Sequence, residues 1–172
     1  MEYKASLDRI AKTITVLITI LFSAISFWNS WLMYTSFDTV KHFGGNIIAV
    51  ILILIIYAGC YLFRPISYVI EKNWLIIKRP LKDYQLDIDK IKNASLLSDE
   101  SMKWTARTFG VGGLFGYYGK FRNQTFGGMT WYATQRKNYL VIETINNRKI
   151  VLTPDDTDML KEIEKLIKKS IH

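Results

Sequence analysis

The residues whose types and spacing invite a chemical reading crowd into one stretch, Lys103 to Trp131: KWTARTFGVGGLFGYYGKFRNQTFGGMTW. Seven of the ten glycines fall in it, interleaved with Phe109, Phe115, Tyr117, Tyr118, Phe121 and Phe126. Gly110-Val111-Gly112 opens like a dinucleotide-binding turn. That turn needs a third glycine at 115, where Phe115 stands, and a strand–turn–helix context around it. Gly119-Lys120 is followed by Phe121, not by the Ser or Thr of a phosphate-cradling loop. Neither route to phosphate has its parts. Arg107, Lys120 and Arg122 among aromatic rings have the composition that stacks on single-stranded nucleic acid. The rest of the chain argues against that partner, because it ties this segment to a membrane. The stretch reads as a long β-hairpin or loop. Its glycines permit tight turns and bulges, and its aromatics cover a sheet or dip into a membrane interface.

Other reactive groups are sparse. The two histidines are His42 and His172, in a predicted outer loop and at the end of the sequence. The one cysteine, Cys60, lies in an apolar stretch, so no intrachain disulfide or cysteine-built metal site is expected. Asp155, Asp156 and Asp158 read as acids at a helix start. No catalytic residue, cofactor site or metal ligand is expected. The chain reads as a binding protein and not as an enzyme.

The element that organises the chain is Phe43 to Phe63, FGGNIIAVILILIIYAGCYLF, which carries no charge. About twenty apolar residues at 1.5 Å each span the roughly 30 Å hydrocarbon core of a bilayer. Backbone polar groups there must bond internally, so the segment is helical. From Thr13 to Phe37 there is likewise no charged residue. Trp28, Trp31 and Tyr34 gather at its far end, at the level where amphipathic rings favour head groups. This segment is too long for a cleaved signal peptide and lacks a small-residue cleavage pattern. Two spans follow, about 13–35 and 44–63, joined by a loop from roughly Thr35 to Gly45 in which Asp38 balances Lys41. Lys4, Arg9 and Lys12 precede the first span, and Arg64, Lys72, Lys78, Arg79 and Lys82 follow the second. Basic flanks stay in the cytoplasm, so both ends of the sequence are expected there.

The division in charge is sharp. Residues 1–63 hold four Lys/Arg against three acids, while the remainder carries net +7 of the formal +8. Arg64-Pro65 ends the membrane part. Ile66, Tyr68 and Ile70 alternate with Ser67, Val69 and Glu71 as a strand, Lys72-Asn73 turns, and Trp74–Lys78 returns as a hairpin. Tyr84, Leu86 and Ile88 give another alternation, and Ile88–Leu97 fits either strand or helical turn. Met129–Thr134, Tyr139–Thr144 and Lys149–Leu152 read as three more strands. Met159, Leu160, Ile163, Leu166 and Ile167 fall at helical spacing after Thr153-Pro154-Asp155-Asp156, a helix-start signal in which Thr153 would cap and Pro154 would begin the first turn.

Arg107-Thr108-Phe109-Gly110-Val111-Gly112-Gly113, then Tyr117-Tyr118-Gly119-Lys120-Phe121, carry a resemblance. It continues through Gly128, Tyr132, Thr134, Tyr139-Leu140-Val141-Ile142-Glu143-Thr144 and Leu152-Thr153-Pro154-Asp155. Residues 66–170 resemble the bacterial pleckstrin-homology-like (PH-like) domain of small membrane proteins. The likeness implies a mainly β, α+β domain: a PH-like barrel of antiparallel strands closed by a C-terminal helix. It also implies a bacterial inner-membrane location, and it supplies no ligand residues.

The expected architecture is a membrane α-helical hairpin, residues 1–64, followed by a cytoplasmic PH-like domain, residues 65–172. Its expected role is a membrane-anchored binding or scaffold module that contacts a protein partner or anionic lipid head groups. The alternative is an accessory subunit of a membrane transporter or enzyme complex. A basic domain beside a bilayer attracts anionic leaflets. Arg64, Lys72, Lys78, Arg79 and Lys82 are the candidate lipid contacts, being nearest the membrane in sequence. Lys120 and Arg122 are secondary candidates.

Overall fold

The computed structural model of the chain describes residues 1–35 and 40–170. Expectations resting on Asp38 and His172 fall outside the described residues, as do those on the side chains of Lys41 and His42. The chain opens on a short strand, β1 (Glu2–Lys4), and enters two long helices, α1 (Arg9–Thr35) and α2 (Val40–Leu62). Asp8 starts α1: its Oδ1 accepts the Ala11 N–H at 2.7 Å, which satisfies a donor that the helix cannot. Gly44-Gly45, expected in the connecting loop, lie in the first turns of α2.

Arg9–Leu32 is long and apolar enough to cross a membrane, and Ala11 is its one buried residue. The described apolar run of α2, Ile47–Leu62, is shorter. The helices meet where the Thr19 and Tyr57 hydroxyls hydrogen-bond at 2.8 Å and the Phe22 and Tyr57 rings touch edge to face.

After α2 come β2 (Ser67–Glu71), β3 (Trp74–Lys78), β4 (Tyr84–Asp87), β5 (Ile91–Leu97), β6 (Ala106–Gly113), β7 (Gly116–Asn123), β8 (Gly127–Ala133), β9 (Tyr139–Thr144), β10 (Lys149–Leu152) and the helix α3 (Asp158–Ser170). Among the described residues they form two sheets, ordered β1-β2-β3-β4 and β5-β9-β10-β8-β7-β6. The predicted β2–β3 hairpin is present, with Lys72 in the left-handed region at φ 53°. Ile88–Leu97 resolves into a 3-10 turn at Ile88–Lys90 followed by β5.

Three expectations are corrected. The sheets do not close into a barrel. Asp87 caps the 3-10 turn after β4, and the chain leaves there to begin the second sheet, so no ladder joins the two. The strands are not all antiparallel, since β10 pairs with β8 in parallel, from Lys149↔Met129 to Leu152↔Tyr132. The β9–β10 hairpin folds back as a unit, and its second strand meets β8. Thr153 does not cap α3. Its hydroxyl accepts the Thr134 N–H at 2.9 Å and the Gln135 N–H at 3.3 Å, inside the core. The helix begins later, where Asp156 Oδ1 accepts the Asp158 N–H at 2.9 Å.

The main core lies between the sheets. It holds Tyr68, Leu75, Ile77, Leu140, Ile142 and Leu152, and α3 closes it with Met159 and Ile163. Leu160 is only partly buried. A second cluster covers the other face of the six-stranded sheet: Tyr117, Phe121, Met129, Trp131, Tyr139 and Val151 pack with Ala11 and Met102. Strand β1 carries little sequence signal, since it has three residues. It forms because β2 offers an edge, with Glu2↔Val69, Tyr3↔Tyr68 and Lys4↔Ser67 in register. The first sheet therefore takes residues from both sides of the helix pair, which places the start of α1 and the end of α2 on one side of the molecule.

Candidate binding surfaces of the domain

The glycine-rich stretch is three strands of one sheet, β6, β7 and β8. The tip of its first hairpin, Leu114-Phe115, is seated between α1 and α2. The Phe115 ring meets Tyr57 at 5.2 Å and Tyr61 at 5.5 Å, both edge to face. Gly113 has φ +129°, a backbone that side-chain-bearing residues rarely adopt, so the turn requires glycine; a Cβ there would also lie 2.6 Å from Ile14 Cδ1. The Tyr118 hydroxyl donates to the Cys60 carbonyl, and burial pushes its phenol pKa well up. At the start of α1, Asp8 accepts from the Tyr117 hydroxyl at 3.3 Å and from the Arg136 N–H at 3.0 Å. Burial, then the Asp8 charge, pushes the Tyr117 phenol up to about 12. The sequence does not single out Thr15, Tyr57 or Cys60 as contacts of the domain. Polar or small groups at those positions in an apolar run were the only signal.

Of the predicted lipid contacts, four gather at the end of α2. The Arg64 guanidinium lies 4.4 Å from the Tyr61 ring and 5.6 Å from Phe115, and its Nε is buried without a hydrogen-bond partner. The loop after β3 folds back on the helix through Leu81 N–H to Leu62 O at 3.1 Å. This brings Arg79 between Phe63 and Tyr132, 5.8 and 5.7 Å from the rings, with its Nε donating to Lys82 O. Lys78 pairs with Asp83 at 2.7 Å. That bond raises the lysine pKa and lowers the carboxyl. Phe63, Ile66 and Leu81 stand exposed among these cations. Lys72 is elsewhere. The register pairs Ser67 with Lys78 at the helix end and Glu71 with Trp74 at the far end, and Lys72 is in the turn beyond.

The secondary candidates, Lys120 and Arg122, lie in neither place. They line a cleft of about 730 Å³ on the six-stranded sheet, with Tyr84, Thr108, Thr130, Tyr132, Asn147, Arg148 and Lys149 among its other walls. Four of the lining residues are cationic and none is acidic. Lys120 Nζ donates to Thr130 Oγ1 at 2.9 Å, and Lys149 Nζ to Phe126 O at 2.9 Å. Among the described residues the ion pairs are Lys78–Asp83 and Lys161–Asp158, so no cleft cation is neutralised by a carboxylate. Tyr84 and Tyr132 stack at 5.0 Å at one end. Burial raises the Tyr132 pKa, Tyr84 adds to the rise, and Arg79 opposes it. Among the described residues no group of three or more His, Cys, Asp or Glu side chains is placed to hold a metal ion.

A family model described as bacterial PH domain matches residues 66–167. No curated protein and no solved structure matches the chain.

Proposed function

The chain belongs to the bacterial PH domain family, and from that premise we propose that it is a membrane-tethered binding module. The supporting observation is the exposure of apolar residues beyond the domain. Val16, Leu17, Ile20, Leu21, Phe27, Trp28 and Trp31 on α1 are exposed, as are Ile48, Ile51, Leu52, Leu54, Ile55 and Ile56 on α2. Water does not tolerate an apolar surface of that extent. The domain ends its hold on α1 near Thr15. From Val16 to Thr35 the helix rises about 30 Å, the thickness of the hydrocarbon core. The membrane part is then residues 1–64 and the domain residues 65–172, with residues 2–8 joined to the domain side.

The domain rests on the bilayer through the end of α2. Arg64, Lys78, Arg79 and Lys82, set among Phe63, Ile66 and Leu81, combine cations for anionic head groups with side chains for the interface. Basic flanks place this side in the cytoplasm. The test uses single cysteines in a Cys60→Ser background. Thr35→Cys is expected to react with an impermeant thiol reagent in intact cells, and Ser98→Cys to react only after lysis. The reverse pattern would sink the orientation, and release of the protein from membranes by alkaline carbonate would sink the anchor.

A further inference from the structure

We propose that the basic cleft binds an extended acidic segment of a protein partner, with carboxylates on alternate residues. The inference rests on the chain being a tethered binding module and names the class of partner.

The floor of the cleft is β8. Met129 and Trp131 turn into the second core cluster, so Gly128, Thr130 and Tyr132 face the other way, into the cleft. One wall is β7, with Lys120 in register with Thr130 and Arg122 with Gly128. The opposite wall is β10 and the turn before it, with Asn147, Arg148 and Ile150. Strands β7 and β10 flank β8, so the walls stand about 10 Å apart, twice the strand spacing. That trough has the width of one extended chain with its side chains.

The cations are distributed along it and do not converge on one point. Lys120 and Arg122 are two residues apart on one strand, about 7 Å, which is also the spacing of residues i and i+2 in an extended peptide. A phosphate site gathers donors on a single group, commonly at a helix N-terminus or a backbone nest. No such feature lines this cleft. A row of cations without carboxylates repels itself, and an alternating acidic chain neutralises it pair by pair.

The cleft starts at Tyr132, beside Arg79 at the end of α2, and runs away from the helix pair. Strand β7 begins beside Phe115, which is packed on Tyr57 and Tyr61 of α2. Lys120 and Arg122 lie five and seven residues beyond Phe115, about 17 and 23 Å along an extended strand. The tyrosine pair Tyr84–Tyr132 closes the membrane-facing end and offers an apolar wall.

The test uses the full chain in neutral detergent and a fluorescent peptide alternating Glu with Ser. Binding is expected, and salt should weaken it. Arg122→Glu should reduce affinity by about tenfold or more. Gly128→Glu should do the same by filling and recharging the floor. A Cβ at Gly128 meets nothing within 4 Å, so this variant is expected to fold. Lys169→Glu, the same charge change on α3 at the β5 side of the domain, should leave affinity unchanged. A peptide of the same composition with its Glu residues in one block should bind more weakly. Equal loss in all three variants, no loss in any, or equal binding of the block peptide would overturn the proposal. So would displacement of the peptide by anionic nanodisc lipid, which would assign the cleft to head groups. None of these readouts depends on which side of the membrane the domain faces.

Discussion

The Phe115 amide donates to the Thr15 hydroxyl at 2.9 Å, tying a hairpin tip to a helix one hundred residues earlier. The same hydroxyl reaches the Gly113 carbonyl at 3.4 Å. Phe115 takes a left-handed backbone, φ 58°, which a bulky side chain adopts only when its surroundings compensate. Tyr57 and Tyr61 supply that compensation. The domain is thus mounted on the helix pair by a lock of specific shape, and a shift of the helices reaches β7 directly.

Thr15→Val keeps the shape and removes the acceptor. Leaving the Phe115 N–H unpaired should cost about 1–3 kcal/mol locally. Hydrogen exchange in residues 110–118 should accelerate while β9 and β10 keep their protection. Unchanged exchange at the tip would show that the bond does not hold it.

Asp8 serves both the helix and the domain, so its removal should be felt in both. Asp8→Ala loses the N-cap, about 1 kcal/mol, together with the partners of Tyr117 and of the Arg136 N–H. Asp8→Asn keeps an oxygen for capping and should lose less. Thermal unfolding in detergent should rank the wild type above Asp8→Asn, and Asp8→Asn above Asp8→Ala.

The packing of α3 can be tested at two neighbouring positions. Ile163 is fully buried and Leu160 is only partly so. Ile163→Asp buries an unpaired carboxylate and should cost more than about 4 kcal/mol, enough to unfold the domain. Leu160→Asp should leave a folded, less stable domain. Circular dichroism melts separate them, and equal effects would contradict the assigned helix face.

Alkaline pH should unfold the domain in a defined window. Tyr68, Tyr117 and Tyr139 are each raised by burial from 10.0 to about 12. A raised pKa means that the fold favours the neutral phenol. The stability it contributes is complete below pH 10 and is lost as pH rises toward 12. Tyrosinate absorbance for these residues should appear together with loss of ellipticity. Ionisation of all ten tyrosines near pH 10 in a still-folded domain would contradict the burial of these three.

The cations at the α2 end should hold lipid where Lys72 does not. Each contributes about 1 kcal/mol near an anionic leaflet. Arg79→Glu with Lys82→Glu should reduce the anionic lipid that co-purifies with the protein, read by native mass spectrometry. Lys72→Glu, at the far end of its hairpin, should leave it unchanged. Equal loss in both would mean that overall charge alone attracts lipid.

Local signals determined much of this protein. The uncharged runs, the alternation at Ser67–Glu71 and Tyr139–Thr144 and the helical spacing after Asp158 were all legible, because burial on one face dictates residue type at a fixed period. The family likeness and the absence of nucleotide-binding motifs were legible as well. What the tertiary structure decided are the relationships between distant residues. Strand β1 exists only because β2 presents an edge, and β10 runs parallel to β8 only because a whole hairpin folds back. Thr153 looked like a cap by its neighbours, yet its hydroxyl is taken by Thr134 and Gln135. The five predicted lipid contacts were grouped by nearness in sequence, but a hairpin carries its turn away from its ends, and this separates Lys72 from Arg79. Lys120, Arg122 and Arg148 form one cleft for the same reason: strands neighbouring in space are not neighbours in the chain.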